Sequence, residues 1–355
     1  MRFIGNKTKL LSYIHEILKS HDVLVGERFF DFFSGTASVG RYFKEHGFDV
    51  TSSDILYFSY VLQEAYIGNT GEPDFKPLLK TLPPQNTGKL FDNNYETVLH
   101  YLDNLQGTNG FIYQNYTEEG TKDREIPRKF FKGSNGQKID AIRQIIEAWH
   151  QAKLIDDHAY FVLLATLIES VPFYANISGV YAAFLKSYDP RAVKDLVLRP
   201  IELSPTGKTG KAYCRNSMEF LDSIDTDILY LDPPYNGRQY APNYHLLETI
   251  ARYDNPPIKG VAGIRPYEHQ KSVFCNAITA IKALDEVAAT ARYKVLVLSY
   301  NSEGIMKQPD IMVTLGKYGK VNLYEVDYRR FKSNSNGQSK HKTHIQEQVY
   351  VLRRS

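Results

Sequence analysis

Cysteine is scarce in this sequence: Cys214 and Cys275 are the two thiols in a chain of 355 residues. Two cysteines cannot build a disulfide framework, nor a four-ligand zinc site by themselves. Apolar runs are short, and none approaches the roughly 18 residues that would cross a bilayer. Residues 1–7 lack the apolar stretch of a secretory signal. No Gly-Lys-Ser/Thr follows the glycine turn at residue 35, so a phosphate loop is excluded. A strong charge of one sign is also missing; the net +3 permits nucleic-acid binding without arguing for it. What remains is an ordinary folded chain, 43% hydrophobic and 23% charged, long enough for a core and a second lobe. The expectation is a cytoplasmic protein with no membrane partner and no metal.

Charge is uneven along the chain. From Tyr328 onward Arg329, Arg330, Lys332, Lys340, Lys342, Arg353 and Arg354 face a single acid, Glu347. Arg124, Arg128, Lys129 and Lys132 cluster around Phe130 and Phe131. Such local excesses suit phosphate contacts, and equally suit solvated surface.

Periodicity predicts a helix over 9–18, a buried strand over 27–33, a helix through Val39, Tyr42 and Phe43, a strand over 49–53 and a helix over 57–66. This β-α-β-α opening predicts an α/β fold, a doubly wound, Rossmann-like sheet. Alternation then lapses through proline-, asparagine- and glycine-containing sequence, with helices expected at 95–105, 138–149 and 159–170 and a loop over 173–186. Strands resume at 211–215, 227–231 and 294–300, followed by an antiparallel edge pair at 321–328 and 347–352. Residues 1–69 and 201–355 are therefore expected to form the core, with 70–200 an inserted, mostly helical lobe. Residues 332–340 read as a low-complexity loop.

Two places carry chemistry. Gly35 lies between a strand and a helix, where a side chain would obstruct a ligand and the helix start offers free N–H groups. Nineteen residues on, by numbering, Asp54 ends the next strand, where a carboxylate can hold both hydroxyls of a ribose. The pair fits an adenosyl or dinucleotide ligand, or a simple tight turn. The stronger signal is Asp232-Pro233-Pro234-Tyr235 at a strand end. Two prolines cannot continue a β-ladder, so the chain leaves the sheet in a rigid turn. That turn presents a carboxylate, a carbonyl and an aromatic ring to one space. A nucleobase amino group is a poor nucleophile because its lone pair is delocalised into the ring. Asp232 and the Pro233 carbonyl, accepting its two N–H bonds, would free that lone pair while Tyr235 stacks on the base. The alternative is a strand-terminating turn with a capping Asp.

Taken together, the chain resembles the Dam-like class of DNA adenine-N6 methyltransferases, many of which accompany restriction enzymes. The resemblance is carried, in order, by Phe3-Ile4-Gly5-Asn6-Lys7, Asp31-Phe32-Phe33-Ser34-Gly35-Thr36-Ala37-Ser38, Asp54, Asn176-Ile177-Ser178-Gly179-Val180-Tyr181 and Asp232-Pro233-Pro234-Tyr235. It implies that Asp232, Pro233, Pro234 and Tyr235 are catalytic. It further implies that Phe3, Lys7, Asp31, Phe33, Gly35, Ser38 and Asp54 bind S-adenosylmethionine, which leaves as S-adenosylhomocysteine. Ala37 stands where a second glycine is usual. Asn216 stands where relatives often carry an acid that receives the cofactor's adenine amino group; its side-chain oxygen could bind the cofactor in that way, and it is equally readable as a capping Asn. The implied partners are double-stranded DNA, its target adenine flipped out of the stack, and a cognate restriction endonuclease.

Rival readings are a cytosine-N4 methyltransferase, an RNA methyltransferase, a nucleic-acid binder of the same fold without catalysis, and a dehydrogenase. The last leaves the proline turn unexplained. His245 and Glu248 are read as helix surface rather than metal ligands, Cys214 and Cys275 as reduced thiols, and Asn301 as either a pocket residue or an ordinary loop residue.

Overall fold

The computed structural model describes residues 7–22, 27–83, 93–205, 208–329 and 344–354. Along the chain run α1 (Leu11–Ser20), β1 (Arg28–Asp31), α2 (Ser38–Glu45), β2 (Asp49–Asp54) and α3 (Tyr57–Gln63). Then come α4 (Lys76–Leu79), α5 (Asn94–Asp103), α6 (Phe111–Tyr116), α7 (Gly133–Gln151) and α8 (Asp157–Ser170). The chain continues through β3 (Lys211–Cys214), β4 (Ile228–Leu231), α9 (Tyr240–Arg252), α10 (Ala277–Thr290), β5 (Val295–Asn301), α11 (Gln308–Gly316), β6 (Gly319–Arg329) and β7 (His344–Arg354). The helix expected over 57–66 ends at Gln63 and gives way to a π-helical turn, Glu64–Gly68. That wider turn keeps Ala65 and Ile67 buried.

The chain forms two compact units. The first to be built from sequence is Ile4–Gln63, Lys208–Ala241 and Glu268–Ser355. Its seven strands lie in the order β3-β2-β1-β4-β5-β7-β6. The first five pair in parallel, and β7 runs antiparallel to both β5 and β6. Strands buried on both faces read as apolar runs; Ile228–Leu231 and Val295–Asn301 are buried throughout. One face, with Phe30, Leu229, Leu231, Leu296, Leu298 and Leu352, packs under Leu284 and Val287 of α10 and Ile311 and Leu315 of α11. On β1, Phe29 stacks on Phe43 of α2 at 4.3 Å between ring centroids. The edge pair expected from sequence forms, with β6 outermost.

The second unit comprises Met1–Phe3, Glu64–Gly207 and Pro242–Tyr267. It therefore takes in a segment, 242–267, that the expected insertion of 70–200 did not include. Two buried arginines hold that segment. Arg143 donates to the carbonyls of Ile250 and Ala251 at 3.2 and 3.3 Å. Arg128, 2% exposed, donates to the carbonyls of Val261, Asn115 and Gly260 at 2.9, 3.0 and 3.0 Å. Gly263, at φ +66°, lets the chain pass Arg128; a Cβ there would lie 2.8 Å from the guanidinium carbon. Asn176, fully buried, closes the 176–189 loop by donating to the Leu185 carbonyl at 3.0 Å and accepting from the Asp189 N–H at 2.8 Å.

Arg128→Met would leave three partly buried carbonyls without their charged donor. The full chain should lose about 3 kcal/mol or more of stability in urea unfolding; a loss below about 1 kcal/mol would mean the carbonyls find other partners.

Candidate active site

Strand order reverses between β1 and β4, whose neighbours run in opposite directions through the chain. In open α/β sheets ligands gather at the carboxyl ends of strands beside such a switch. Asp31 ends β1 there, fully buried. Its Oδ2 accepts from the Gly40 N–H in the first turn of α2 at 3.2 Å. Burial, then the nearby Asp232, raise its pKa from 3.8 to about 7, against the Gly40 N–H, which lowers it.

The turn between β1 and α2 has two left-handed residues, Gly35 at φ 53° and Ala37 at φ 59°. Gly35 adopts that conformation freely, whereas Ala37 holds it at a cost. The turn is fixed at its base: the Ala37 N–H donates to the Ser34 carbonyl at 2.8 Å, and the Ser34 N–H to the Ser53 carbonyl at 3.0 Å. Asp54, at the end of β2, accepts from the Gly35 N–H at 2.8 Å and the Leu56 N–H at 2.9 Å. Ser38 begins α2 half-buried, and Phe33 packs edge-on to Phe274 at 5.1 Å. The Asn216 side-chain oxygen accepts from the Met218 N–H at 3.2 Å, capping the short helix that follows.

Asp232-Pro233-Pro234-Tyr235 continues directly from β4. The Tyr235 carbonyl accepts from the Ile305 N–H at 3.1 Å. Asn301 shapes the turn that delivers Ile305, its side chain accepting from the Glu303 N–H at 2.8 Å. The Lys7 ammonium lies 3.4 Å from Asp232 Oδ1 and donates to Glu347 Oε2 at 2.9 Å. The Lys7 and Glu347 side chains are 3% and 6% exposed, and that of Asp232 17%. Burial would favour a neutral Lys7 amine, but Asp232 and Glu347 outweigh it and hold its pKa above the usual lysine range. Burial raises the Asp232 pKa to about 7; Lys7 opposes the rise and Glu347 adds to it. Burial likewise pushes the Tyr235 hydroxyl up to about 12, so it stays protonated.

Comparison with known proteins decides what this arrangement belongs to. Residues 3–312 match the family model of the D12 class N6 adenine-specific DNA methyltransferases. The chain belongs to that family. Among its relatives, the Type II methyltransferase M.FokI of Planomicrobium okeanokoites is 38% identical, over 94% of this chain and 50% of that protein. The modification methylase StsI of Streptococcus sanguinis is 34% identical, over 100% of this chain and 52% of that protein. The Type II methyltransferase M.NlaIII of Neisseria lactamica is 36% identical, over 100% of both. The chain thus spans about half the length of the first two relatives and the full length of the third.

A D12 methyltransferase implies a methyl donor. The turn fits a polar ligand: the Asp31 carboxyl and the Ser34 hydroxyl are both buried beside it, and buried polar groups call for polar partners. Among the described residues no cluster of His, Cys, Asp or Glu could hold a metal ion. Among them also, no helix is long and apolar enough to cross a membrane.

The structure gathers Lys7, Asp232 and Tyr235 with Glu347, and separately arranges Asp31, Gly35, Ala37 and Asp54 around one turn. Phe3 lies outside the described residues, as do Arg330, Lys332, Lys340, Lys342 and the 332–340 loop. Glu347 was not singled out for the site; in the sequence it is one acid in a basic tail. His245 and Glu248 are not helix surface: each is 1% exposed. His245 Nε2 lies 2.9 Å from the Tyr181 carbonyl, and burial lowers its pKa to about 4. Glu248 instead accepts from Arg252 at 2.6 Å. The basic cluster is corrected too. Arg128, Phe130 and Phe131 are buried, and Lys129 and Lys132 pair with Glu118 and Asp195, leaving Lys122 and Arg124 exposed. Cys275 is buried, its thiol pushed up to about 11 by burial, which suits an inert thiol.

Because the folded-state pKa of Asp31 is raised, its contribution to stability is intact below its ordinary 3.8 and lost as pH climbs through about 7. Asp31→Asn keeps the acceptor for Gly40 and removes that loss. The variant should gain stability over the parent, by on the order of 2 kcal/mol more at about pH 8 than at about pH 5. Thermal unfolding at the two pH values checks this, and a pH-independent difference would contradict a raised Asp31 pKa.

Proposed function

We propose that the chain is a site-specific DNA adenine-N6 methyltransferase that uses S-adenosylmethionine and leaves S-adenosylhomocysteine. The observation that carries the reading is a largely buried Asp232, held by Lys7 at the mouth of a proline turn, in a chain of the D12 class. Asp31, Phe33, Gly35, Ser38, Asp54 and Asn216 would hold the donor, with Asp54 at the ribose hydroxyls. When bound, S-adenosylmethionine supplies an electrophilic methyl group.

The chain's own part is to prepare the amino nitrogen. Asp232 and the Pro233 carbonyl accept its two N–H bonds and draw the nitrogen toward tetrahedral geometry. Tyr235, neutral, stacks on the base after it is rotated from the duplex. One N–H is exchanged for N–CH3, and the released proton passes toward the Asp232 carboxylate and then to solvent. No nucleophilic side chain forms a covalent bond to the base; the turn carries no cysteine.

The second unit is the target-recognition lobe in this reading, with exposed Lys122 and Arg124 available to phosphates, so DNA binding weakens steeply with salt. The Type II methyltransferase and modification methylase names of the relatives support a place in a restriction-modification system beside a cognate endonuclease.

Labelled S-adenosylmethionine tests the reading. The parent chain should label duplex DNA, and Asp232→Ala should lose about 100-fold or more in rate while retaining DNA affinity within about threefold. Equal retention of transfer would remove Asp232 from the chemistry. Because Asp232 must be ionised to accept, kcat/KM, which reports the free enzyme, should fall as pH drops below about 7. A flat profile across about pH 5 to 9 would contradict that role.

A further inference from the structure

The family match ends at residue 312, yet an acid well beyond it reaches the proposed catalytic turn. Glu347 lies on β7 opposite Asn301, the last residue of β5. Because β7 is antiparallel, this places Glu347 at the edge where the parallel strands end, beside the turn that follows β4. On the same strand Val349 and Val351 are fully buried. A carboxylate among such neighbours costs several kcal/mol unless it is paired and hydrogen-bonded. Glu347 receives that pairing from Lys7, 340 positions earlier in the chain.

The distances show which acid holds the lysine. The ammonium donates to Glu347 at 2.9 Å and pairs with Asp232 Oδ1 at the longer distance of 3.4 Å. Two carboxylates share one ammonium, so once Asp232 is ionised, above about pH 7, the trio carries one net negative charge. A tight Lys7–Asp232 pair alone would be neutral and would occupy the acceptor that the target amino group needs. A net negative trio also complements the cationic methyl donor of the proposed reaction.

We propose that Glu347 is a positioning residue: it anchors the Lys7 ammonium so that Lys7 steadies one oxygen of Asp232 and leaves the other free to accept from the target amino group. This rests on the methyltransferase reading above. The groups that bear on the Asp232 charge are Lys7 from the N-terminal segment, Glu347 from β7, Tyr230 of β4, Tyr235 of the turn and Asp31 of β1. Glu347 raises the Asp232 pKa, so removing its charge lowers it.

The test uses Glu347→Gln, which keeps an oxygen for Lys7 and removes the charge, in labelled methyl transfer to duplex DNA. With no charge at position 347 to hold it, Lys7 shifts toward Asp232. The variant should lose about tenfold or more in kcat, with KM for S-adenosylmethionine and for DNA within about threefold. Its acid limb should move to lower pH by about half a unit or more. If Glu347 acts through Lys7, then Lys7→Met and the double variant Lys7→Met/Glu347→Gln should have equal rates within about twofold. That comparison also decides the matter should Glu347→Gln alone fail to fold, since the double variant has lost both members of the pair. Unchanged kcat, a kcat loss with an unmoved acid limb, or a further loss on adding Glu347→Gln to Lys7→Met each overturns the proposal. Failure of the parent chain to transfer label overturns the enzyme reading itself; a parent that transfers, undisturbed by Glu347→Gln, overturns this inference alone.

Discussion

A buried ammonium between one buried and one largely buried carboxylate sets the constraint around which the proposed site is organised. Lys7, Asp232 and Glu347 come from the start, the middle and the end of the sequence. Removing three charges from water costs several kcal/mol per ion unless the pairing is close, so each group fixes the others. The sheet order makes the meeting possible. β4, β5 and β7 are consecutive neighbours, so the end of β4, the end of β5 and the start of β7 share one edge. The same edge, at the reversal between β1 and β4, carries Asp31 and the left-handed turn. Two buried acids with raised pKa values, Asp31 and Asp232, thus lie within electrostatic reach of each other. Lys7 offsets part of that charge, and the cationic methyl donor of the proposed reaction would offset more.

Much of this was legible in the sequence because local rules and global fold agree there. Strands buried on both faces tend to be apolar runs, and Ile228–Leu231 and residues 295–298 are. Two consecutive prolines must leave the ladder, which located the turn after β4. Gly35 marked a turn that the structure holds at positive φ. Ala37 at positive φ was less legible, since alanine gives no local sign of a left-handed conformation.

The rest was hidden because sequence shows residue type and not environment. Arg128 sits in a basic run, yet its guanidinium is enclosed by three carbonyls of its own unit. His245 and Glu248 lie on a helix whose Leu246, Leu247, Ile250 and Ala251 are also buried, so the helix has no polar face to read. The 242–267 segment belongs with residues far earlier in the chain because Arg128 and Arg143 hold it through backbone carbonyls, which leave no pattern in composition. Glu347 was obscured by its basic neighbours. Its partner lies at the other end of the chain, beyond any local periodicity.

The most direct measurement is the identity of the methylated nucleoside. Unmethylated duplex DNA of mixed sequence, incubated with the chain and labelled S-adenosylmethionine, is digested to nucleosides and the label is assigned. The account predicts label in N6-methyladenine, confined to sites that share one sequence. Label in N4-methylcytosine would contradict the target base, and no label in DNA while S-adenosylmethionine is bound would contradict the catalytic assignment of Asp232 and its turn.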